Sequence, residues 1–135
     1  MIENKFDQGE EIKNFSIVER AKSFTYAGRG IRIFLKSTHN AWIHLVILIV
    51  AVLLGIYFDI GNIEWTFLVF AGGLVLAAEA FNTAIEIDID LTSPNYHPYA
   101  RDTKDVAAGA VGLTAILACI IAIIIFLPKI LVLLF

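Results

Sequence analysis

Glu79, Asn82, Glu86 and Asp90 recur at intervals of three and four residues in the stretch AEAFNTAIEIDID. On a helix turning about 100° per residue they fall within an arc of roughly 80°, so three carboxylates and an amide share one face while Asp88 points away. The face lies between two long apolar segments, where an ionised side chain is costly unless it is used or compensated. Two carboxylates on one helix face can hold a hard divalent cation, and Mg2+ is usually bound through one or two carboxylates plus substrate phosphates. Glu79 lies about 10 Å deeper than Glu86 at 1.5 Å per residue. That suits a general base taking a proton from a hydroxyl. Past Asp90, the loop 91–103 carries two prolines and His97, and Asp102, Lys104 and Asp105 open the next apolar block. Charge of both signs therefore gathers at one boundary, where a water-soluble anion and a lipid headgroup can meet.

The elements that must position these groups are membrane spans. The 135 residues are 59% hydrophobic, with mean hydropathy +0.79, and the apolar residues lie in blocks. An ordinary soluble domain is excluded, and the expectation is all-α: one integral membrane domain, 1–135, with transmembrane helices over 41–58, 65–87 and 106–127, each near the ~20 residues a bilayer requires. Pro128 is expected to end or kink the last helix, leaving 129–135 as a short apolar tail. Residues 1–15 read as a flexible N-terminus. Over 16–37, Ile17, Ala21, Phe24, Gly28, Ile31 and Leu35 share one face beside a stripe of Lys22, Arg29, Arg32 and Lys36, the pattern of an amphipathic helix lying in the membrane surface. Gly28 and Gly30 are helix-weakening, so a break or a close backbone approach is expected there. The surrounding GRGIRI is no phosphate loop, since no strand precedes it and no GK[ST] follows.

Seven of the ten Lys and Arg precede the first span, two lie between the second and third, and the 59–64 turn has none. This asymmetry predicts a cytoplasmic N-terminus and a cytoplasmic second loop. The first 40 residues have no signal-peptide character. The lone Cys119 offers neither a disulfide nor a cysteine metal site within the chain. His39 and His44 read as interfacial polar residues and His97 as an ordinary loop residue, because no carboxylate or cysteine accompanies them at ligand spacing. Gly73, Ala77, Ala80 and Ala84 form a small-residue stripe nearly opposite the acids, and Ala107 to Gly112 is similarly small, so close helix packing is expected. Three spans with such faces bury too little alone, which predicts a homo-oligomer. No nucleic-acid partner is expected. Three functions remain open on this evidence: an enzyme or lipid binder, an oligomeric carboxylate ring conducting protons or cations, and acids that merely pair with Lys104 and Arg101 to fix helix register.

At EAFNTAIE (Glu79 to Glu86) and KDVAAGAV (Lys104 to Val111), with Tyr96-His97 between, the sequence resembles the small prokaryotic diacylglycerol kinase and undecaprenol kinase family. The similarity reaches back through SFTYAGRGIRIF and HNAWIHL and so covers roughly Ser23 to Leu127. It implies a surface helix, three transmembrane helices, a homotrimer in the bacterial inner (cytoplasmic) membrane, and transfer of the ATP γ-phosphoryl group to a lipid alcohol, undecaprenol or diacylglycerol. The resemblance further implies that Glu79 is the base at the lipid hydroxyl, and that Asn82 and Glu86 bind nucleotide phosphate and Mg2+, with Glu86 the principal metal ligand. Lys104 would neutralise the phosphates, and Asp105 would orient Lys104 or bind nucleotide. Tyr26 matches a nucleotide-contacting tyrosine on the surface helix, and Asp90 an acidic residue near the nucleotide. Phosphoryl transfer asks mainly for such positioning and charge stabilisation.

One position departs. The family usually has a glutamate where this chain has Thr38, just before His39-Asn40, so a second carboxylate on the metal is missing. Either water and phosphate oxygens fill its place or the enzyme is impaired; the intact Glu79, Asn82, Glu86, Lys104 and Asp105 favour the former. NTAIE with AAGAV resembles the undecaprenol kinase branch more than the diacylglycerol branch.

Overall fold

The computed structural model describes residues 17–135; the expected flexible segment 1–15 lies outside them. Four helices follow one another: α1 (Ile17–Ser37), α2 (His39–Tyr57), α3 (Asn62–Thr92) and α4 (Pro98–Leu134). Among the described residues there is no strand, and α2, α3 and α4 are each long and apolar enough to cross a membrane. The protein is an all-α integral membrane protein. Two compact units divide it, one ending at Ile31 and one running from Arg32 to Phe135. In the first, α1 passes without interruption through Gly28 and Gly30, and a Cβ at either would meet nothing within 4 Å. Among the described residues the expected break or close approach is thus absent. Ile17, Phe24 and Ile31 are all exposed, as the apolar side of an interfacial helix is before a membrane covers it.

In the second unit α3 is central and packs against both α2 and α4. The face it buries carries Leu68, Ala71, Val75, Glu79, Asn82 and Thr83. The small-residue faces are covered only in part within the chain: Gly73, Ala77 and Ala84 are exposed and Ala80 is half-buried, while on α4 Gly109 and Gly112 are exposed and Ala107 is buried. Close contact is made at Gly72 instead, where an added Cβ would run into the Leu48 side chain of α2.

The turn between α2 and α3 shows how local sequence fixes the hairpin. Asp59 takes φ 48°, a left-handed conformation that aspartate tolerates better than most side chains. Its N–H bonds to the Ile56 carbonyl at 3.2 Å and the Ile60 N–H to the Gly55 carbonyl at 3.1 Å, the paired bonds of a Schellman stop. Ile60 then folds back on Gly55 and joins Leu68, Ile125 and Phe126 in the buried cluster at this end. The Gly61 N–H donates to Glu64 Oε2 at 2.8 Å, which starts α3. Trp65 packs its ring over Gly55.

Both later helices outrun the apolar blocks that announce them. α3 continues to Thr92 and α4 begins at Pro98, with His97 as its N-cap: the ring Nδ1 accepts from the Tyr99 N–H at 3.3 Å. Proline at the first helical position suits its fixed φ and missing donor. Pro128 does not end α4, which runs on to Leu134, so 129–135 is no separate tail. Proline is tolerated inside membrane helices where neighbours support the turn. Here Lys129, the next residue, reaches Glu64 on α3 at 3.1 Å, and Ile125 and Phe126 are buried just before it.

Candidate active site

α3 supplies the core of the site because its helical period brings Glu79, Asn82, Thr83 and Glu86 onto the covered side. Glu79 is 1% exposed, the most deeply buried large side chain described, and Asn82 and Thr83 are buried with it. The Asn82 Nδ2 amide donates to Glu86 Oε1 at 3.2 Å, an i,i+4 contact that orients the Glu86 carboxylate. Two oxygens of this face, Glu79 Oε1 and Asn82 Oδ1, are buried with no hydrogen-bond partner among the described residues. Buried polar atoms are nearly always satisfied, so these two oxygens are the unmatched acceptors of the face.

α4 brings the cation. Lys104 Nζ donates to Asp90 Oδ1 at 2.7 Å, tying the start of α4 to the end of α3. Asp105 does not orient Lys104; it turns to Arg101, 3.9 Å away, while Arg101 also bonds Asp102 at 3.0 Å. A cleft of about 390 Å3 opens beside these residues, lined by Asp90, Tyr96, His97, Arg101, Lys104 and Asp105 among others. It holds both an ammonium and a guanidinium. A second, apolar groove of about 160 Å3 follows the α3 face that leads to Glu79, with Leu68, Ala71, Gly72 and Val75 as its floor and Ala115 and Ala118 on its α4 side.

Of the residues singled out from the sequence, Asn82 and Glu86 are in direct contact, Asp90 and Lys104 likewise, and Glu79 shares the Asn82 face. Tyr26 is exposed on α1 and belongs to the unit ending at Ile31. Thr83 is the residue sequence reasoning passed over. It occupies the same helical face one turn after Glu79, so the periodicity that finds the acids finds it too. Its hydroxyl lies 2.9 Å from the Glu79 carbonyl and 2.7 Å from the hydroxyl of Thr38.

The chain is similar to known proteins over most of its length. The family described as prokaryotic diacylglycerol kinase matches residues 25–126. An undecaprenol kinase of Bacillus subtilis is 39% identical over 108 residues, covering 80% of this chain and 88% of that protein. A diacylglycerol kinase of Synechocystis is 34% identical over 110 residues, 81% of this chain and 63% of that one. A Helicobacter pylori diacylglycerol kinase is 24% identical over 106 residues, 73% and 83% of the respective chains. The family match begins at Thr25 within α1, ends at Phe126 within α4, and spans the positions of every acid of the α3 face as well as Lys104. The chain belongs to the prokaryotic diacylglycerol kinase family.

Proposed function

We propose that this chain is a lipid kinase, a single membrane domain that moves the γ-phosphoryl group of ATP to the hydroxyl of a membrane lipid alcohol, undecaprenol in preference to diacylglycerol. The observation that carries the reading is Glu79: a carboxylate buried to 1% exposure with Oε1 unpartnered, on the helix face that ends in Glu86 and the Asp90–Lys104 pair. A buried acid beside an apolar groove, with a cationic cleft further along the same helix, suits a reaction between a greasy alcohol and a water-soluble anion.

In this reading Glu79 accepts the proton of the lipid hydroxyl as it attacks. The lipid chain lies in the apolar groove along Leu68, Gly72 and Val75, which delivers the headgroup to Glu79 one turn further on. Lys104 stabilises the charge on the phosphates, and Asp90 holds its ammonium over the cleft until nucleotide arrives. Asp105 and Tyr26 serve as further nucleotide contacts. The donor chemistry fits Mg2+: Glu86 is a hard carboxylate donor that the Asn82 amide orients through Nδ2, and Asn82 Oδ1 is a second oxygen on the same residue pair without a partner among the described residues. Mg2+ keeps water and phosphate oxygens as most of its shell. When bound it neutralises the triphosphate and so lowers the cost of transfer. The assembly is a homotrimer in the bacterial cytoplasmic membrane with its N-terminus in the cytoplasm, as the distribution of Lys and Arg favours.

The test is purified protein in mixed micelles with ATP, Mg2+ and either undecaprenol or diacylglycerol. Phosphorylated lipid, formed faster from undecaprenol, is the expected product. Proton flux in liposomes without ATP turnover would replace this reading with an ion path. Loss of turnover in the parent chain with ATP binding retained would mean that Thr38 has impaired the enzyme.

A further inference from the structure

The hydroxyl of Thr83, 4% exposed, has two neighbours: the Glu79 carbonyl oxygen at 2.9 Å and the Thr38 hydroxyl at 2.7 Å. A hydroxyl carries one proton, and a carbonyl can only accept. The Thr83 proton therefore goes to Glu79, and Thr38 supplies the proton between the two hydroxyls. The chain has a direction, from Thr38 through Thr83 to the backbone of Glu79.

Thr38 is also the elbow between α1 and α2. Its backbone is extended, φ −122° and ψ 117°. Its N–H reaches the Phe34 carbonyl at 3.3 Å, and the Trp42 indole N–H reaches back to the Leu35 carbonyl at 2.8 Å. A threonine in this N-cap position usually offers its oxygen to the free N–H groups of the helix it starts. Here α2 has no side-chain cap bond; the hydroxyl is turned across to α3 instead. Glu79 Oε1, meanwhile, has no hydrogen bond of its own among the described residues. The placement of that oxygen therefore follows the turn of α3 from which it hangs and the packing around it.

We infer that Thr38 and Thr83 are positioning residues for the phosphoryl transfer: the directed hydroxyl pair locks the α1–α2 elbow to the turn of α3 that carries Glu79. The inference rests on Glu79 acting as the base, as proposed above. It gives Thr38 a role through Thr83 and not as an oxygen ligand of Mg2+. A general base displaced by a fraction of an ångström loses much of its effect, so the pair acts on the chemical step rather than on nucleotide affinity.

The experiment compares Thr38→Val, Thr83→Val, the double variant, Thr38→Ser and Thr83→Ser with the parent chain in mixed micelles. Valine keeps the shape and removes the hydroxyl; serine restores it. Each valine variant is expected to lower kcat about tenfold, with the KM for ATP and the Mg2+ needed for half-maximal rate within about twofold of the parent. The serine variants should stay within about threefold, and the double variant should be no slower than the slower single one, as for two groups acting as a unit. Hydrogen exchange of the backbone from Leu35 to Ala41 should quicken in both valine variants, with protection in the middle of α4 unchanged.

Parental kcat in both valine variants, or a double variant whose losses multiply, overturns the inference. So does a Thr38→Val variant that needs more Mg2+ at unchanged kcat, which would make Thr38 a metal ligand. Faster exchange in α4 as well as at the elbow would mean general loosening and also overturns it. Glu79→Gln separates the two levels. If that variant turns over normally, the base itself is misassigned; if it is inactive while the valine variants are normal, only the positioning role falls.

Discussion

Replacing Glu79 with Gln gives opposite signs for stability and for turnover. The side chain is 1% exposed and Oε1 has no hydrogen-bond partner among the described residues, so at least that oxygen is desolvated without compensation there. Burying such a group is unfavourable, and a neutral amide of the same size is easier to bury. The variant should therefore unfold in detergent at the parental temperature or a little above it. Turnover should move the other way. A positioned general base contributes about 100- to 10,000-fold, or about 3 to 5 kcal/mol at 1.36 kcal/mol per decade, and an amide cannot take the proton. Single-turnover transfer of labelled phosphate from ATP to undecaprenol, read as lipid product, isolates the chemical step from product release. ATP affinity should be nearly unchanged, because Glu79 stands about 10 Å along the helix from Glu86. Glu79→Asp tests the geometry separately: it keeps the charge but withdraws it by about one bond length, and a misplacement on that scale costs about 100-fold. A Gln variant within about tenfold of the parent in this assay would refute the base, and with it the mechanism.

Asp90→Asn removes the 2.7 Å anchor of Lys104, but the two side chains are 69% and 35% exposed and solvent screens such a pair, so the KM for ATP should rise only about two- to fivefold with thermal stability nearly constant. An ATP titration and a melt measured on the same sample check both parts. Lys129→Gln cuts the pair with Glu64 at the other end of α3, so the melting temperature in detergent should fall slightly while kcat is unaltered. Glu64→Gln in that background should add little, because the ion pair is already gone and the amide oxygen can still accept from the Gly61 N–H. Gly55→Ala puts a methyl group 2.8 Å from Trp65 Cη2 and 3.0 Å from Ile60 Cδ1. Overpacking there costs about 1 to 3 kcal/mol and helix propensity returns about 1 kcal/mol, so a lower melting temperature is expected, against no loss for Gly28→Ala, whose new methyl meets nothing.

What the sequence disclosed followed from its period. Glu79, Asn82 and Glu86 are legible as one face because three- and four-residue spacing maps directly onto a helix surface. Helix length was not legible in the same way. Hydropathy marks where a helix crosses apolar solvent, so it found 65–87 and 106–127 but not the continuations of α3 to Thr92 and of α4 back to Pro98. The expected stop at Pro128 used a rule for helices without neighbours, and Glu64, 65 residues back along the chain, supplies the neighbour through Lys129. The Thr38–Thr83 bond joins residues 45 apart. Nothing local announces such a contact, and the sequence reading accordingly considered Thr38 only in relation to a metal.

The register of α3 against α4 bears on the ion path that composition alone left open. Asp90 pairs with Lys104 and Glu64 with Lys129, so 90 − 64 = 26 residues of one helix run beside 129 − 104 = 25 of the other. At 1.5 Å per residue the two pins stand about 38 Å apart, somewhat more than the ~30 Å hydrocarbon layer, which sets a charged pair at each boundary. Glu79 lies 79 − 64 = 15 residues, or about 22 Å, from the Glu64 pin. Over that distance the buried face of α3 is Val75, Ala71 and Leu68, with no ionisable side chain. Proton relays through a membrane are built from chains of such side chains; on α3 the carboxylates run from Glu79 through Glu86 to Asp90, which meets Lys104 of α4, and His44 of α2 stands apart from them beside Val75. The carboxylates of α3 between the pins thus form a blind alley open at one membrane surface. That shape serves a reaction in which an anion enters from water and an alcohol arrives from lipid, and it serves conduction poorly.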